Sequence, residues 1–171
     1  MEIFIAFLAL IIASATLYVQ RQHNRMQMLP IVHFYYSLEN SSEHSLVELK
    51  IINDGLGPAL IKSLKVTCDE EEFIVENYSD LNNLICKQVP DAINVTTSLP
   101  LCLKANASET LYKYRVPKNS ANSFKTANTE LIVSSLYEDK VIVTNHGFTV
   151  ESNPRDILFE KIEKSIRNLF K

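Results

Sequence analysis

Residues 3–19 read IFIAFLALIIASATLYV, an unbroken apolar run whose only polar side chains are Ser14, Thr16 and the tip of Tyr18. Nothing else in the chain restricts its architecture as much. A helix rises about 1.5 Å per residue, so the run covers roughly 25 Å, near the short limit for a hydrocarbon core of about 30 Å. The residues predicted to face lipid are Ile3, Phe4, Phe7, Leu8, Leu10, Ile11, Ile12, Leu17, Tyr18 and Val19. Tyr18 falls at headgroup level, where an aromatic ring with a polar tip is favoured. Arg21 and the residues around it make up missing length by snorkelling.

Charge asymmetry gives an expected orientation. Glu2 is the one charged side chain before the run, while Arg21 and Arg25 follow it. The positive-inside rule then places the N-terminus outside and the following domain in the cytoplasm, in a single-pass inner-membrane protein. A cleavable signal peptide is the rival reading, supported by Ala13-Ser14-Ala15 as a small-residue cleavage site. A signal peptide requires a basic segment ahead of the apolar run, and Glu2 is the wrong charge.

Cys68, Cys86 and Cys102 are odd in number, widely spaced and outside any C-x-x-C pattern. They fit buried small hydrophobes in a reducing compartment better than a disulfide framework or a zinc site. N-x-S/T sequons at Asn40, Asn77, Asn94 and Asn106 are discounted in a chain rich in Asn, Ser and Thr.

Beyond a polar stalk from Gln20 to Leu29, expected to prolong the helix by about two turns, strand signals dominate. Ile31–Leu38 is β-branched and aromatic. Leu46–Ile52 alternates, with Val47, Leu49 and Ile51 on the dry face and Leu46, Glu48 and Lys50 on the wet one. Further strands are predicted at Ala59–Thr67, Glu72–Glu76, Leu99–Lys104, Thr110–Val116, Thr129–Leu136 and Lys140–Val150. Asp80–Val89 is ambiguous, although Leu81, Leu84, Ile85 and Gln88 suit a short helix crossing between sheets.

Seven or eight short strands predict a mainly β fold, an immunoglobulin-like antiparallel β-sandwich. The tail changes period. Asn153 suits an N-cap, Pro154 the first turn, and Leu158, Ile162, Ile166 and Leu169 recur at helical spacing. The predicted organisation is thus a transmembrane helix and stalk over residues 1–29, a sandwich over 30–152 and a C-terminal amphipathic helix over 153–171. Such a helix can pack on the body, lie on the inner leaflet or bind a partner helix. The first of these is the commonest fate.

Asn53-Asp54-Gly55-Leu56-Gly57-Pro58-Ala59 stands out in a chain with three glycines. The Asn53 side chain can bond nearby backbone amides, Gly55 and Gly57 permit positive φ or close packing, and Pro58 fixes the exit into the next strand. This reads as a structural corner between two strands. A phosphate-cradling loop would need a following Lys-Ser/Thr and a helix. The same segment resembles the N-x-G-x-G-P-A motif of small bacterial membrane-anchored proteins of uncharacterised function. Leu131–Val143, LIVSSLYEDKVIV, is similar to the late hairpin of that group. There the turn after the aromatic usually carries a Gly, where this chain has Glu138-Asp139. The resemblance implies an N-terminal span followed by an immunoglobulin-like domain, and no chemistry.

No catalytic constellation is legible. His23, His33, His44 and His146 are scattered, and neither G-x-S-x-G nor H-E-x-x-H occurs. His33 and His146 both fall on predicted strands that have no stated reason to meet. The acidic run Asp69–Glu72 lacks the spacing of a calcium loop and reads as a solvated turn. A net charge of −3 and a pI near 5.8 disfavour nucleic acid as a partner. Lys113, Arg115 and Lys118 are expected to guard a sheet edge.

The expectation is a non-enzymatic interaction or scaffold module tethered at the inner face of the membrane. Neither cofactor nor metal is expected. The bilayer is one partner, and a protein or a second copy is the other. A membrane-active effector of a stress or phage-defence system is the first alternative, motivated by Ala6, Ala9, Ala13 and Ala15 on the span. An extracytoplasmic ligand-binding sandwich is the second.

Overall fold

A computed structural model describes residues 2–68, 70–118 and 128–151. Helix α1, Glu2–Gln27, is continuous through the apolar run and the stalk, and no residue of it is fully buried. It is long and apolar enough to cross a membrane. Its two aliphatic hydroxyls are bonded locally: Ser14 Oγ donates to the Leu10 carbonyl and Thr16 Oγ1 to that of Ile12, each at 2.8 Å. Such back-bonding satisfies both groups within the helix itself.

After α1 come β1 (Val32–Asn40), β2 (His44–Asn53), β3 (Ala59–Cys68) and β4 (Glu71–Val75). Helix α2 (Tyr78–Gln88) precedes β5 (Ile93–Thr97), β6 (Cys102–Leu103) and β7 (Ala107–Pro117). The described part closes with β8 (Asn128–Ser134), β9 (Lys140–Thr144) and β10 (Gly147–Glu151). Among the described residues, these strands make two antiparallel sheets. One runs β1-β2-β7-β5, and the other runs β10-β9-β8-β3-β4 with β6 also paired to β3.

The alternation in β2 does what its pattern predicts: Val47, Leu49 and Ile51 are buried while their neighbours are half-exposed. Leu64, Val66, Leu131, Val133, Val141 and Val143 from the other sheet join them in one shared core. A bulge shifts the β2–β7 register between Leu49 and Lys50, leaving Leu111 without a partner across the ladder. One added residue breaks period two, so Leu111 and Tyr112 are both buried. Asn77 caps α2 by accepting from the Ser79 and Asp80 amides, and Leu81, Leu84 and Ile85 point inward.

The structure corrects several expectations. Lys140–Val150 is not one strand but the hairpin β9–β10, because Asn145 and His146 turn and Gly147 follows at φ +146°. Leu99–Lys104 contributes only the two-residue β6, since Pro100 offers no amide to a ladder. Cys68 is buried as expected, but Cys86 and Cys102 are exposed, and none of the three is in a disulfide. Strand β7 lies between β2 and β5, so Lys113 and Arg115 do not guard an edge. Lys113 instead sits 3.7 Å from Glu48 on the outer face. The predicted C-terminal helix with Leu158, Ile162, Ile166 and Leu169 lies outside the described residues.

Register fixes which loops share an end. Val32 pairs with Asn53, Asn53 with Ala107, Leu60 with Ser134, and Lys140 with both Ser134 and Glu151. The exit of α1, the β2–β3 loop, the β8–β9 turn and the end of β10 therefore lie together. The β1–β2 hairpin tip lies at the other end.

Candidate functional site: the junction of helix and body

The most heavily bonded polar site outside the ladders is where α1 meets the sheets. Its hub is Asn53, fully buried at the end of β2. The Asn53 Oδ1 accepts from the Ile31 amide at 3.2 Å and the Gly55 amide at 3.1 Å. Its Nδ2 donates to the carbonyls of Gly57 at 2.8 Å, Lys104 at 3.1 Å and Leu103 at 3.3 Å. One side chain thus ties together the helix exit, its own loop and the end of β6. A carboxamide suits this place because it offers acceptor and donors at once. The Asp54 amide adds a 2.9 Å bond to the Ile31 carbonyl.

Gly55 and Gly57 are required here by close packing rather than by φ, since neither takes positive φ. A methyl added at Gly57 would overlap the Met28 carbonyl oxygen and stand 2.5 Å from its carbon. One added at Gly55 would overlap the Ile31 nitrogen and stand 2.6 Å from the Leu29 carbonyl oxygen. All of these are backbone atoms that cannot step aside. The corner read from the sequence is real, with Pro58 leading into Ala59 at the head of β3. It is also a saddle for residues 28–31, which the sequence does not disclose.

The second contact is an ion pair. Arg25, in the last turn of α1, donates through Nε to Asp139 Oδ2 at 2.9 Å and through Nη2 to Asp139 Oδ1. The Asp139 side chain is almost fully buried and that of Arg25 largely so. Two parallel charge-assisted bonds fix the angle as well as the distance. The turn is built for it: Ser135 Oγ donates to Asp139 Oδ2 and accepts from the Tyr137 and Asp139 amides, each at 3.1 Å. Glu138 takes φ +65°, the conformation a glycine would supply. In the sequence Arg25 stands out only as a topology signal and Asp139 only as a turn residue.

Other polar features resolve into local uses. His33 pairs with Asp54 at 3.5 Å, and His146 lies in the β9–β10 turn. No group of three or more His, Cys, Asp and Glu is placed to hold a metal among the described residues. Asn94 within β5 and Asn106 in the turn before β7 both take left-handed backbone, and Asn40 accepts from Ser45 Oγ at 2.7 Å. On the outer face Glu48 is partly desolvated, which raises its carboxyl. Bonds from Lys50 and Thr110 and the nearby Lys113 outweigh this and hold it below the usual range. In the core, burial pushes the Tyr112 hydroxyl well up, helped by Tyr114 and Tyr36, and burial also raises Tyr114.

Hollows also occur away from the junction on the described surface. One of about 390 Å³ at the far tip is lined by Glu39, Asn40, Ser41, His44, Leu46 and Arg115. Another of about 410 Å³ lies between β4 and α2, where Lys87 stands over the Phe73 ring at 5.1 Å. Comparison of the chain with family models, with curated proteins and with solved structures gives no match.

Proposed function

We propose that this chain is a non-enzymatic interaction or scaffold module, held at the inner face of the membrane by α1. In this reading the body is an immunoglobulin-like sandwich of the small membrane-anchored group that residues 53–61 and 131–143 resemble. The observation that carries the proposal is the bonded junction. A tether that only localises a domain works with a flexible linker. Here Arg25, Asn53, Gly55, Gly57 and Asp139 clamp residues 25–31, so the body is presented in one orientation relative to α1. Fixed orientation raises the effective concentration of a surface for a membrane-bound partner when the geometry matches.

The test is affinity capture from native membranes with the full chain, compared with Asp139→Asn and with a Gly-Ser insert after Gln27. A protein recovered by the wild type and depleted by both junction variants supports the reading. Recovery equal to that of an unrelated single-span control, or capture indifferent to the junction, overturns it.

A further inference from the structure

The two sheets meet along two long edges, and the edges are finished differently. At one of them β5 and β4 are outermost, and α2, which joins these strands in sequence, packs against both. It closes that edge by burying Leu81, Leu84 and Ile85. At the other edge β1 and β10 are outermost, and they touch each other. Among the described residues no helix packs along this second edge. Register shows what is left open. Phe148 and Val150 pair with the buried Val143 and Val141, so they share the core-facing side of their sheet, yet they are 44% and 40% exposed. Across the seam Phe34, Tyr36 and Leu38 pair with the buried Ile51, Leu49 and Val47. Tyr36 is 37% exposed, and Phe34 and Leu38 are half-buried. Single apolar residues on the outside of a protein are ordinary. Here five inward-facing ones line a single open seam, which is a different matter.

We infer that residues 153–171 of this same chain are the cover, lying as a helix along the β1–β10 seam as α2 lies along the β4–β5 edge. Attachment, length and pattern select this occupant. β10 is itself one wall of the seam and ends at Glu151, so the chain departs from the seam's own border. Glu151 pairs with Lys140 at the end where α1 joins the body. A helix that turns back there runs towards the β1–β2 tip. From Pro154 to Lys171 it measures roughly 27 Å at the helical rise. The other wall, β1, has nine residues and measures roughly 30 Å. Leu158, Ile162, Ile166 and Leu169 then form one apolar stripe, the counterpart of the three residues that α2 buries. The inference stands whether or not α1 crosses a bilayer.

The chain contains no tryptophan, so an introduced one reports alone. The full chain carrying Tyr36→Trp, or Phe148→Trp as a second reporter, is placed one copy per nanodisc and titrated with acrylamide below the thermal transition of the body. Adding Ile162→Asp and Ile166→Asp should raise the quenching at least two-fold at either reporter. Lys164→Asp, on the opposite side of the helix, should leave it unchanged, as should all three substitutions for Ser42→Trp at the exposed hairpin tip. Spin labels on Glu39→Cys and Lys164→Cys, in a Cys86→Ser and Cys102→Ser background, should give one narrow distance that broadens with the paired aspartates. Quenching indifferent to those aspartates means that the tail does not cover the seam, and overturns the inference. A broad label distance with the native tail overturns it too. Shielding found only in discs that hold two copies assigns the cover to a second chain, with the same result.

Discussion

Arg25 and Asp139 are 114 residues apart in sequence, yet the guanidinium of one holds both carboxylate oxygens of the other at the edge of the core. Breaking one side of a buried pair strands the other charge, at a cost of about 3–5 kcal/mol. Arg25 keeps some solvent, so Arg25→Ala is expected to cost about 3 kcal/mol, at the lower edge of that range. Arg25→Lys keeps the charge but loses the fork and should cost less. Denaturant unfolding of the full chain in nanodiscs, followed by tyrosine emission, measures both.

Gly57→Ala is expected to destabilise by about 1–3 kcal/mol or more, because its methyl meets the Met28 backbone. Gly147→Ala meets nothing within 4 Å, and its cost comes only from φ +146°. The two variants separate by a second measurement. Spin-label distances between α1 and β9 should shift for Gly57→Ala and stay fixed for Gly147→Ala.

Asn53→Asp should be worse than Asn53→Ala. The aspartate would set a carboxylate oxygen against three carbonyl oxygens, those of Gly57, Leu103 and Lys104. The alanine loses the bonds without adding repulsion, at about 1–3 kcal/mol for stranded backbone groups. Thermal unfolding of the two variants at neutral pH gives the ranking, and equal losses would contradict the assigned hydrogen-bond roles.

Tyr112 and Tyr114 predict an alkaline limb in the stability profile. Both are raised in the folded state by burial first, then by neighbouring tyrosines. The unfolded chain therefore releases protons near pH 10 that the folded chain retains. Stability is fully present below that pH and falls above it, by up to about 1.4 kcal/mol per pH unit for each tyrosine. Tyr112→Phe should flatten the limb, as read by urea titrations at stepped pH.

Local pattern carried much of the fold. The apolar run and the alternation from Leu46 to Ile52 needed no tertiary knowledge, and both elements formed where expected. The corner at Asn53 was legible as a corner because its glycines and Pro58 act locally. Its grip on residues 28–31 was not, since contacts spanning 22 residues leave no periodic trace. β5 was missed because Asn94 at φ +54° and a register shift between Ile93 and Thr96 break its alternation. Arg25 shows the limit most plainly. A cation after a span serves topology, lipid or an ion pair equally well, and only the three-dimensional neighbour decides.

With the stalk clamped, the hairpin that begins after β1 acts as the top of a post. Nine residues of β1 at about 3.3 Å each set its tip roughly 30 Å from the helix exit. In the proposed tethered reading, a partner that meets Ser41 or His44 does so at that distance from the helix exit, a spacing set by strand length and not by any side chain.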